Sequence, residues 1–459
     1  MSIATNPRIL LLMILLNSLA TPVMLSASNV ALPSIAIDLG MNANLLSWVP
    51  MAFLMSSAIF VVIFSRVSDM YGRKRIFLLG TAAMIVSSLY TAVAVNSGML
   101  LSGRFLQGIS AAMLHANQMA LVSAAFPPQT RGRMIGLVVS FTYVGLSAGP
   151  LLGGLAVDSL GWRAAFVLQV PMALVVLFLG VFVIKQEWRQ DDSPAFDRVG
   201  ALGWLVSIVL ICLGISQLPY WHAVLLIVGG LFAMTLFFRH ARRVSNPLWD
   251  VELFFSNRVF TLSSLASLLM YTSTYAIVVL MSLFLQTIQS YTASQAGMIM
   301  MIQPVIMAAL SPVAGRMSEK IEPRVLASSG MAITALGLVM LSRLHVDSTL
   351  GYVVSALVLT GSGFSLFSSP NINAIMSSVE SRHSGSASSA VATMRLLGQL
   401  NSMVLVTLAI ALMMGSTPIS AESAPQLARA VDLSFTLGAV LCVPGIILSL
   451  VRGRMRPRR

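Results

Sequence analysis

Two apolar stretches of the sequence carry arginine together with other polar side chains at helical spacing. In the first stretch, residues 99 to 121, the polar side chains on one broad helical face are Arg104, Gln107, His115 and Gln118. In the second stretch, residues 387 to 413, they are Arg395 and Gln399. Because an arginine inside an apolar helix is costly unless it faces a cavity or a partner, both faces are candidate linings of a polar cavity.

The roles of Arg104 and His115 stay open at the level of the sequence. A structural arginine, hydrogen-bonded to backbone carbonyl groups of the first apolar stretch, is the alternative for Arg104. His115 lies well inside an apolar stretch and its side chain titrates near neutral pH, so it is a candidate proton carrier. A satisfied core histidine is the alternative for this residue.

Uncharged polar residues in other apolar stretches are further candidates for orienting a solute by hydrogen bonds. They are Asn17 and Thr21 in the first stretch and Asn371 in the twelfth. The alternative for each of these residues, which is favoured, is a hydrogen bond that holds one helix against another.

The composition indicates which elements must position these side chains. The chain is 57% hydrophobic and 9% charged, whereas soluble domains carry about 25% charged residues. Fourteen apolar runs lie between residues 9 and 451, each long enough to cross roughly 30 Å of hydrocarbon as a helix. The sequence therefore predicts an all-α membrane protein with 14 transmembrane helices.

The distribution of basic residues predicts the orientation of these helices. Of the 28 lysines and arginines, Arg163, Arg343 and Arg429 fall in loops on one face, and Arg104 and Arg395 lie within runs. All the others fall on the opposite face, which the positive-inside rule makes cytoplasmic. We therefore expect a multi-pass protein of the bacterial cytoplasmic (inner) membrane with both termini in the cytoplasm, and we assign the net charge of +13 to topology and lipid rather than to nucleic acid.

A weak internal repeat predicts the domain organisation. The segment at residues 65 to 74 has a counterpart at residues 315 to 320, eight helices later. Two six-helix bundles related as parallel repeats, with two inserted helices between them, account for this spacing. We expect an N-terminal bundle at 1–184, a linker with the two additional helices at 185–258, and a C-terminal bundle with a basic tail at 259–459.

The loops are too short for a soluble domain, and the sequence has no GxxxxGK[ST] loop. We therefore expect a protein that is not an enzyme and that has no cofactor and no metal site.

The fifth run contains small residues in the spacing GxxxGPxxGG: Gly145, Gly149, Pro150, Gly153 and Gly154. With the GWRxxF element that follows, this run resembles the antiporter motif of the major facilitator superfamily, within the 14-helix branch of drug:proton antiporters. Glycines at this spacing let another helix approach closely, and the proline bends the helix. The resemblance covers essentially the whole chain and implies secondary-active transport by alternating access.

The loop at residues 65 to 75 is similar to the GxLADxxGRK signature of that superfamily, with serine in place of the first glycine. The resemblance implies that Asp69, Gly72 and Arg73 belong to a cytoplasmic gate. In that gate Asp69 would cap a neighbouring helix and pair with Arg131 or Arg133. A solvated loop charge is the alternative.

The sequence departs from the branch at the first run. Met24 stands where the branch usually has an intramembrane aspartate, and none of the 15 carboxylates lies near the midpoint of a run. Since the embedded charges are cationic, we expect a neutral or anionic solute rather than a dication.

Two transport functions therefore remain open. The first is proton-coupled antiport that exports an amphipathic organic solute or drug, with His115 or the peripheral Asp69 as proton carrier and Asp38 as a third candidate. The second is a facilitator, or an exporter of a specific neutral or anionic metabolite, with weak or no proton coupling. A membrane sensor without transport is a third reading. The expected partners are a small-molecule substrate, protons as coupling ion and the lipid bilayer, and we expect a monomer.

Overall fold

The three-dimensional structure is a computed structural model. It describes residues 7–188, 196–218, 220–244, 247–249, 251–379, 384–415, 417 and 421–453, excepting the side chains of residues 128, 129, 131–133, 255, 319, 384–386, 388, 389 and 421.

Fourteen long helical segments make up most of this part of the chain. In chain order they are α1 (Pro7–Val30), α2 (Ala43–Tyr71), α3 (Arg73–Ala92), α4 (Ser97–Ala125), α5 (Pro128–Leu160), α6 (Ala164–Val183), α7 (Arg198–Ser216), α8 (Trp221–Ala241), α9 (Arg258–Ile288), α10 (Ala293–Ser318), α11 (Pro323–Ser342), α12 (Leu350–Ser377), α13 (Ser384–Met413) and α14 (Ala424–Val451). Short helices cover Leu32–Asp38, Val251–Ser256 and Ala421–Ser423. Among the described residues, 13 of the long segments are long and apolar enough to cross a membrane; α4 has 29 residues but carries more polar side chains. The prediction of an all-α membrane protein is confirmed.

Three of the long segments are interrupted rather than continuous. Segment α6 consists of Ala164–Val167, Val170–Phe178 and a π-helical turn at Leu179–Val183. Segment α9 consists of Arg258–Thr274, Ala276–Leu283 and a π-helical turn at Phe284–Ile288. Segment α10 consists of Ala293–Met300 and a second helix that begins at Ile302.

Polar residues in the loops cap the first turns of several helices. In each case the side-chain oxygen accepts a hydrogen bond from the backbone N–H three residues further on, which satisfies one of the free donors of the first turn. The capping residues are Asn42, Asn96, Asp197, Asn257, Thr292 and Thr349.

The helices form two six-helix bundles that repeat the same packing. In the first bundle α1 packs on α5, and both α2 and α3 pack on α4. In the second bundle α9 packs on α13, and both α10 and α11 pack on α12, which is the same scheme eight helices later. The bundles meet where α5 packs on α10 and α2 packs on α13, again a pair of equivalent contacts. This arrangement is that of two parallel repeats.

The inserted helices α7 and α8 pack on each other at the edge of this assembly. Helix α7 contacts α2 of the first bundle and α13 of the second. The indole Nε1 of Trp204 donates a hydrogen bond to the carbonyl oxygen of Ile59, at 3.2 Å. On the outer face of α8, residues such as Trp221 and Phe232 are exposed, as expected for helices that face lipid.

The glycines of α5 face two different partners. A Cβ at Gly145, Gly149 or Gly153 would lie 2.5 to 2.6 Å from atoms of Leu19, Ser26 or Ala27, so these glycines allow α5 to approach α1 within the first bundle. A Cβ at Gly154 would instead lie 2.3 Å from the carbonyl oxygen of Ala293 on α10. The stripe that sequence reasoning treats as one face therefore serves both packing inside a bundle and contact between the bundles.

The two bundles are joined at one end of the molecule, which we call the Asp38 end; the opposite end, with the loop after α2, is the Asp69 end. Near the Asp38 end, several hydrogen bonds between described residues cross from one bundle to the other, including the following three. Ser294 N donates to Asp158 Oδ2 at 2.8 Å, Gln286 Nε2 to Val30 O at 2.9 Å, and Thr407 Oγ1 to Ser47 Oγ at 2.9 Å. The Asp38 end is therefore closed.

Candidate functional site

A cavity of about 230 Å³ lies between the two bundles. It is walled by α1, α2, α4 and α5 from the first bundle and by α9, α10, α12 and α13 from the second. Most of its wall is apolar, with Phe53 and Phe364 among the larger side chains. Its polar side chains are Asn17, Ser18, Thr21, His115, Gln118, Thr142, Tyr143, Tyr271, Ser368, Arg395 and Gln399. Such a wall suits an amphipathic ligand, because a few polar groups orient it within an apolar enclosure.

A second cavity of about 110 Å³ continues toward the Asp38 end, past Pro150 and Gln303. The two cavities share a ring of wall residues at which Tyr271 and Phe364 contact each other edge to face, with ring centroids 5.5 Å apart. The cavities thus follow one path between the bundles, with an aromatic constriction between them.

Arg395 is the charged group of the larger cavity. Its guanidinium has no hydrogen-bond or ion-pair partner among the described residues. No Asp, Glu or Lys contributes to the described wall, and Asn17 Nδ2 also lacks a partner there. The cavity therefore presents unsatisfied donors and a positive charge, which favour a solute that carries hydrogen-bond acceptors.

His115 lies on the same wall as Gln118, half-buried. Gln118 is tied to α1 through a hydrogen bond of its Nε2 to Ser18 Oγ, at 2.6 Å. His115 has no such partner in the described part of the chain.

Arg104 does not line the cavity, although it lies on the predicted polar face of α4. It is fully buried inside the first bundle, where its Nε donates to Val49 O at 3.0 Å and its Nη1 to Gln107 Oε1 at 2.9 Å. The Nη1 atom also lies 3.5 Å from Met24 Sδ, and the ring of Phe53 lies 4.7 Å from the guanidinium carbon. Met24, Phe53 and Phe166 pack around Arg104. The polar face of α4 is therefore open to the cavity at His115 but covered by these side chains at Arg104.

This result corrects three of the sequence-based cavity assignments. Arg104 donates a hydrogen bond to a backbone carbonyl group inside the bundle, and this acceptor belongs to α2 rather than to the first run. Gln107 donates to Ser88 Oγ at 3.1 Å and Met24 packs against Arg104, so both also lie inside the bundle.

Asn371 is a fourth residue that the structure places away from the cavity. It is fully buried in the second bundle, where its Nδ2 donates to Ser267 Oγ at 2.8 Å and its Oδ1 accepts a hydrogen bond from Arg452 Nη1 at 2.5 Å. Arg452 follows α14 and is itself only 1% exposed. Sequence reasoning assigned this arginine to the basic tail, so its partner was missed.

The comparison with known families agrees with this architecture. Residues 14–403 match the family model of the Major Facilitator Superfamily. The chain belongs to the Major Facilitator Superfamily. It is therefore a multi-pass transporter of small molecules and not an enzyme.

Several curated members of the superfamily are similar along most of their length. Riboflavin transporter RibZ of Clostridioides difficile is 27% identical over 370 residues, which is 81% of each chain. Multidrug resistance protein Stp of Mycobacterium tuberculosis is 31% identical over 377 residues, 81% of this chain and 70% of the relative. Cephamycin export protein CmcT of Amycolatopsis lactamdurans is 31% identical over 388 residues, 81% of this chain and 79% of the relative.

Solved structures show the same fold at low sequence identity. A POT family transporter in complex with a thioalcohol-conjugated peptide superimposes with a TM-score of 0.72 at 13% identity, covering 96% of both chains. The human organic anion transporter MFSD10 (TETRAN) superimposes with a TM-score of 0.63 at 16% identity, covering 96% of this chain and 98% of the other.

In this major facilitator the loop after α2 differs in detail from the expected gate. Asp69 pairs with Arg73, four residues later, with Oδ1 to Nη2 at 2.9 Å, and Arg73 also reaches Ala120 O at 3.4 Å. The proposed partner Arg131 lies outside the described side chains, as does Arg133. Asp69 thus links α2, α3 and α4, and it does not cap the first turn of α3.

The cap of α3 is Glu187, from the loop after α6. Its carboxylate accepts hydrogen bonds from Lys74 N at 2.8 Å and Arg75 N at 3.0 Å. Gly72 has φ of 110°, and a Cβ there would lie 2.6 Å from the Glu187 carboxyl carbon. The glycine is therefore required both by its backbone conformation and by the space that the capping carboxylate occupies. No local sequence pattern indicates this long-range cap.

Asp38 is held at the rim of the closed end, away from both cavities. It accepts hydrogen bonds from Trp162 Nε1 and from Arg163 Nη1, each at 2.9 Å. These two hydrogen bonds, with Trp162 contributing more, hold the pKa of Asp38 below its usual value. A carboxylate that stays ionised at neutral pH and lies outside the cavity is a poor proton carrier, which weakens the third coupling candidate.

Proposed function

We propose that this transporter exports amphipathic organic solutes that are neutral or anionic, by alternating access of the cavity to the two membrane faces. The observation that carries the proposal is the unpaired guanidinium of Arg395 in a largely apolar cavity whose described wall contains no carboxylate. A lipophilic cation would meet an uncompensated like charge there, whereas a carboxylate or carbonyl group would gain a charge-assisted hydrogen bond.

The names of the relatives support an organic solute and outward movement. They are named for riboflavin transport, multidrug resistance and cephamycin export. We place the chain in the bacterial cytoplasmic membrane as a monomer, with both termini and the Asp69 end in the cytoplasm. We retain the N-terminal bundle at 1–184, the linker with two helices at 185–258 and the C-terminal bundle at 259–459. With that orientation, the closed Asp38 end makes this an inward-facing conformation.

The gate proposal follows from the same geometry. We propose that Asp69 exchanges partners during the cycle, bonding Arg73 while the Asp38 end is closed and engaging the start of α5, where Arg131 lies, when the Asp69 end closes. Gly72 and Glu187 hold the start of α3 in place while Asp69 exchanges partners.

For the driving force we propose proton antiport with His115 as the group that carries the proton. Among the side chains of the described cavity wall it is the one whose unperturbed pKa lies nearest to neutral pH, and an arginine does not deprotonate in proteins. Facilitated export without protons is the second candidate, and the lack of a carboxylate in the described wall favours it.

Solute-induced proton release from purified protein in detergent separates the two candidates. For antiport we expect wild-type protein to release protons when solute is added, because solute and proton compete for one cavity. The His115→Gln variant should bind solute and release essentially none.

Two further variants make the assignment specific. Asp69→Asn and Asp38→Asn should release protons as the wild type does, since neither carboxylate lies on the cavity wall. If the wild type releases no protons although it binds solute, export is facilitated. If release persists in His115→Gln and disappears in Asp69→Asn, the proton carrier is Asp69 and the assignment of His115 is wrong.

A further inference from the structure

A groove lies on the outer surface of the second bundle, between α11 and α14. The groove has a volume of about 950 Å³ and is separate from the transport cavities. Its floor contains small side chains, including Ala335 and Ala439, and its apolar walls are exposed. The exposed wall residues are Leu336, Val339, Val440 and Val443.

One end of the groove is polar and carries more positive than negative charge. Arg343, at the end of α11, and Arg429, in the first turns of α14, both line it and are exposed. Neither guanidinium has a hydrogen-bond or ion-pair partner in the described chain. Asp432 lines the same end, and one of its oxygens accepts a hydrogen bond from Thr436 Oγ1 at 3.2 Å. The lining thus holds two guanidiniums and one partly engaged carboxylate.

The placement of these two arginines is unusual for this face of the protein. The Asp38 end carries few basic residues, and Arg163 there is neutralised by Asp38 at 2.9 Å. The unpaired Arg343 and Arg429 both converge on this groove, whose walls are apolar. The positive-inside rule accounts for the scarcity of basic residues on this face but does not account for their convergence.

We propose that this groove binds an anionic glycerophospholipid, with the headgroup phosphate between Arg343 and Arg429 and an acyl chain along the walls formed by α11 and α14. Charge complementarity selects the phosphate, since arginine donates paired hydrogen bonds to phosphate oxygens. The apolar walls select a lipid over a free phosphate ion, because their exposed valine and leucine side chains gain by contact with a hydrocarbon chain.

The test is photo-crosslinking in nanodiscs of phosphatidylcholine that contain a trace of phosphatidylglycerol bearing a photoactivatable acyl chain. We expect crosslinks on residues 332–339 of α11 and 439–443 of α14. The double variant Arg343→Gln/Arg429→Gln should reduce them by roughly fivefold for each arginine removed. Asp432→Asn should increase them, since it removes the opposing charge.

Matched controls distinguish the groove from general attraction to the surface. Arg239→Gln removes an exposed arginine at the end of α8 and should leave these crosslinks unchanged. A phosphatidylcholine probe with the same acyl chain should label the groove several-fold less than the anionic probe. Equal labelling by the two probes, or unchanged labelling in a double variant that retains the wild-type melting temperature, would overturn the proposal.

Discussion

Replacing Gly154 with valine should nearly abolish transport while leaving the protein folded in the membrane. Gly154 lies where α5 meets α10, and a Cβ there would lie within 2.8 Å of three backbone atoms of Ala293 and Ser294. Backbone atoms cannot turn aside as a flexible side chain can. Closing the Asp38 end over an added side chain should cost about 1–3 kcal/mol, which shifts the balance between closed and open forms about 5- to 150-fold.

The shift can be measured as a distance across the Asp38 end. Spin labels at the exposed positions Leu160 and Val346 report the separation of the two bundles there. We expect the short distance to dominate in wild-type protein and a longer one in Gly154→Val. The control is Gly136→Val, on the same helix, where a Cβ would meet nothing within 4 Å. A Gly154→Val protein with the wild-type distance and flux would show that this contact does not govern closure.

Replacing Arg395 with glutamine should weaken the binding of anionic solutes by about 10- to 100-fold, the value of a charge-assisted hydrogen bond in a largely apolar site. A neutral analogue of the same solute should lose far less, because it gains less from the guanidinium. Arg395→Lys should retain part of the preference, since the charge remains but the paired donors are lost. Calorimetric titration of each variant with the acid and its amide measures the difference directly.

The comparison of the acid with its amide also shows whether the substitution has disrupted the cavity as a whole. A variant whose cavity had collapsed would lose both ligands alike. Arg239→Gln, outside the cavity at the end of α8, should bind both as the wild type does. If Arg395→Gln bound the acid and the amide with unchanged affinity, Arg395 would have no part in solute recognition.

Much of the fold follows from the sequence because the bilayer imposes strong constraints. Apolar runs of membrane length predict the helices, and the repeat at residues 65 to 74 and 315 to 320 predicts two related bundles. The structure shows the same packing scheme in both halves, with α7 bridging them.

The residues that line the cavity could be predicted only in part. Helical periodicity indicates which face of a helix a residue lies on, but it does not indicate how deeply that residue is buried by other helices. Of the candidate residues, those that line the cavity are Asn17, Thr21, His115, Gln118, Arg395 and Gln399. Arg104 and Gln107 share the face of His115, but side chains from α1, α2 and α6 cover them.

The aromatic and long-range partners had no local signal. Tyr143 lies two residues before the glycine motif of α5, and its hydroxyl lies 3.2 Å from Ser368 Oγ on α12, across the cavity. Glu187 and Arg452 lie in charged segments outside the apolar runs, yet the first caps α3 and the second is buried against Asn371. Such contacts depend on tertiary packing and not on the sequence around each residue.

The absence of a carboxylate beside Arg104 bears on the mechanism. The sulfur of Met24 occupies the position next to the guanidinium where the related branch usually has an aspartate, and Arg104 Nη2 has no partner in the described structure. No described carboxylate therefore balances the positive charge of Arg104 nearby, which supports the proposed preference for neutral or anionic solutes.

The most direct test of the central claim is counterflow into proteoliposomes of purified wild-type protein, using one aromatic scaffold in three forms that carry a carboxylate, a neutral amide or a quaternary ammonium group. We expect uptake of the carboxylate and the amide and little uptake of the ammonium form, because the cavity offers unpaired donors and positive charge. Efficient counterflow of the ammonium form with none of the carboxylate would contradict this expectation.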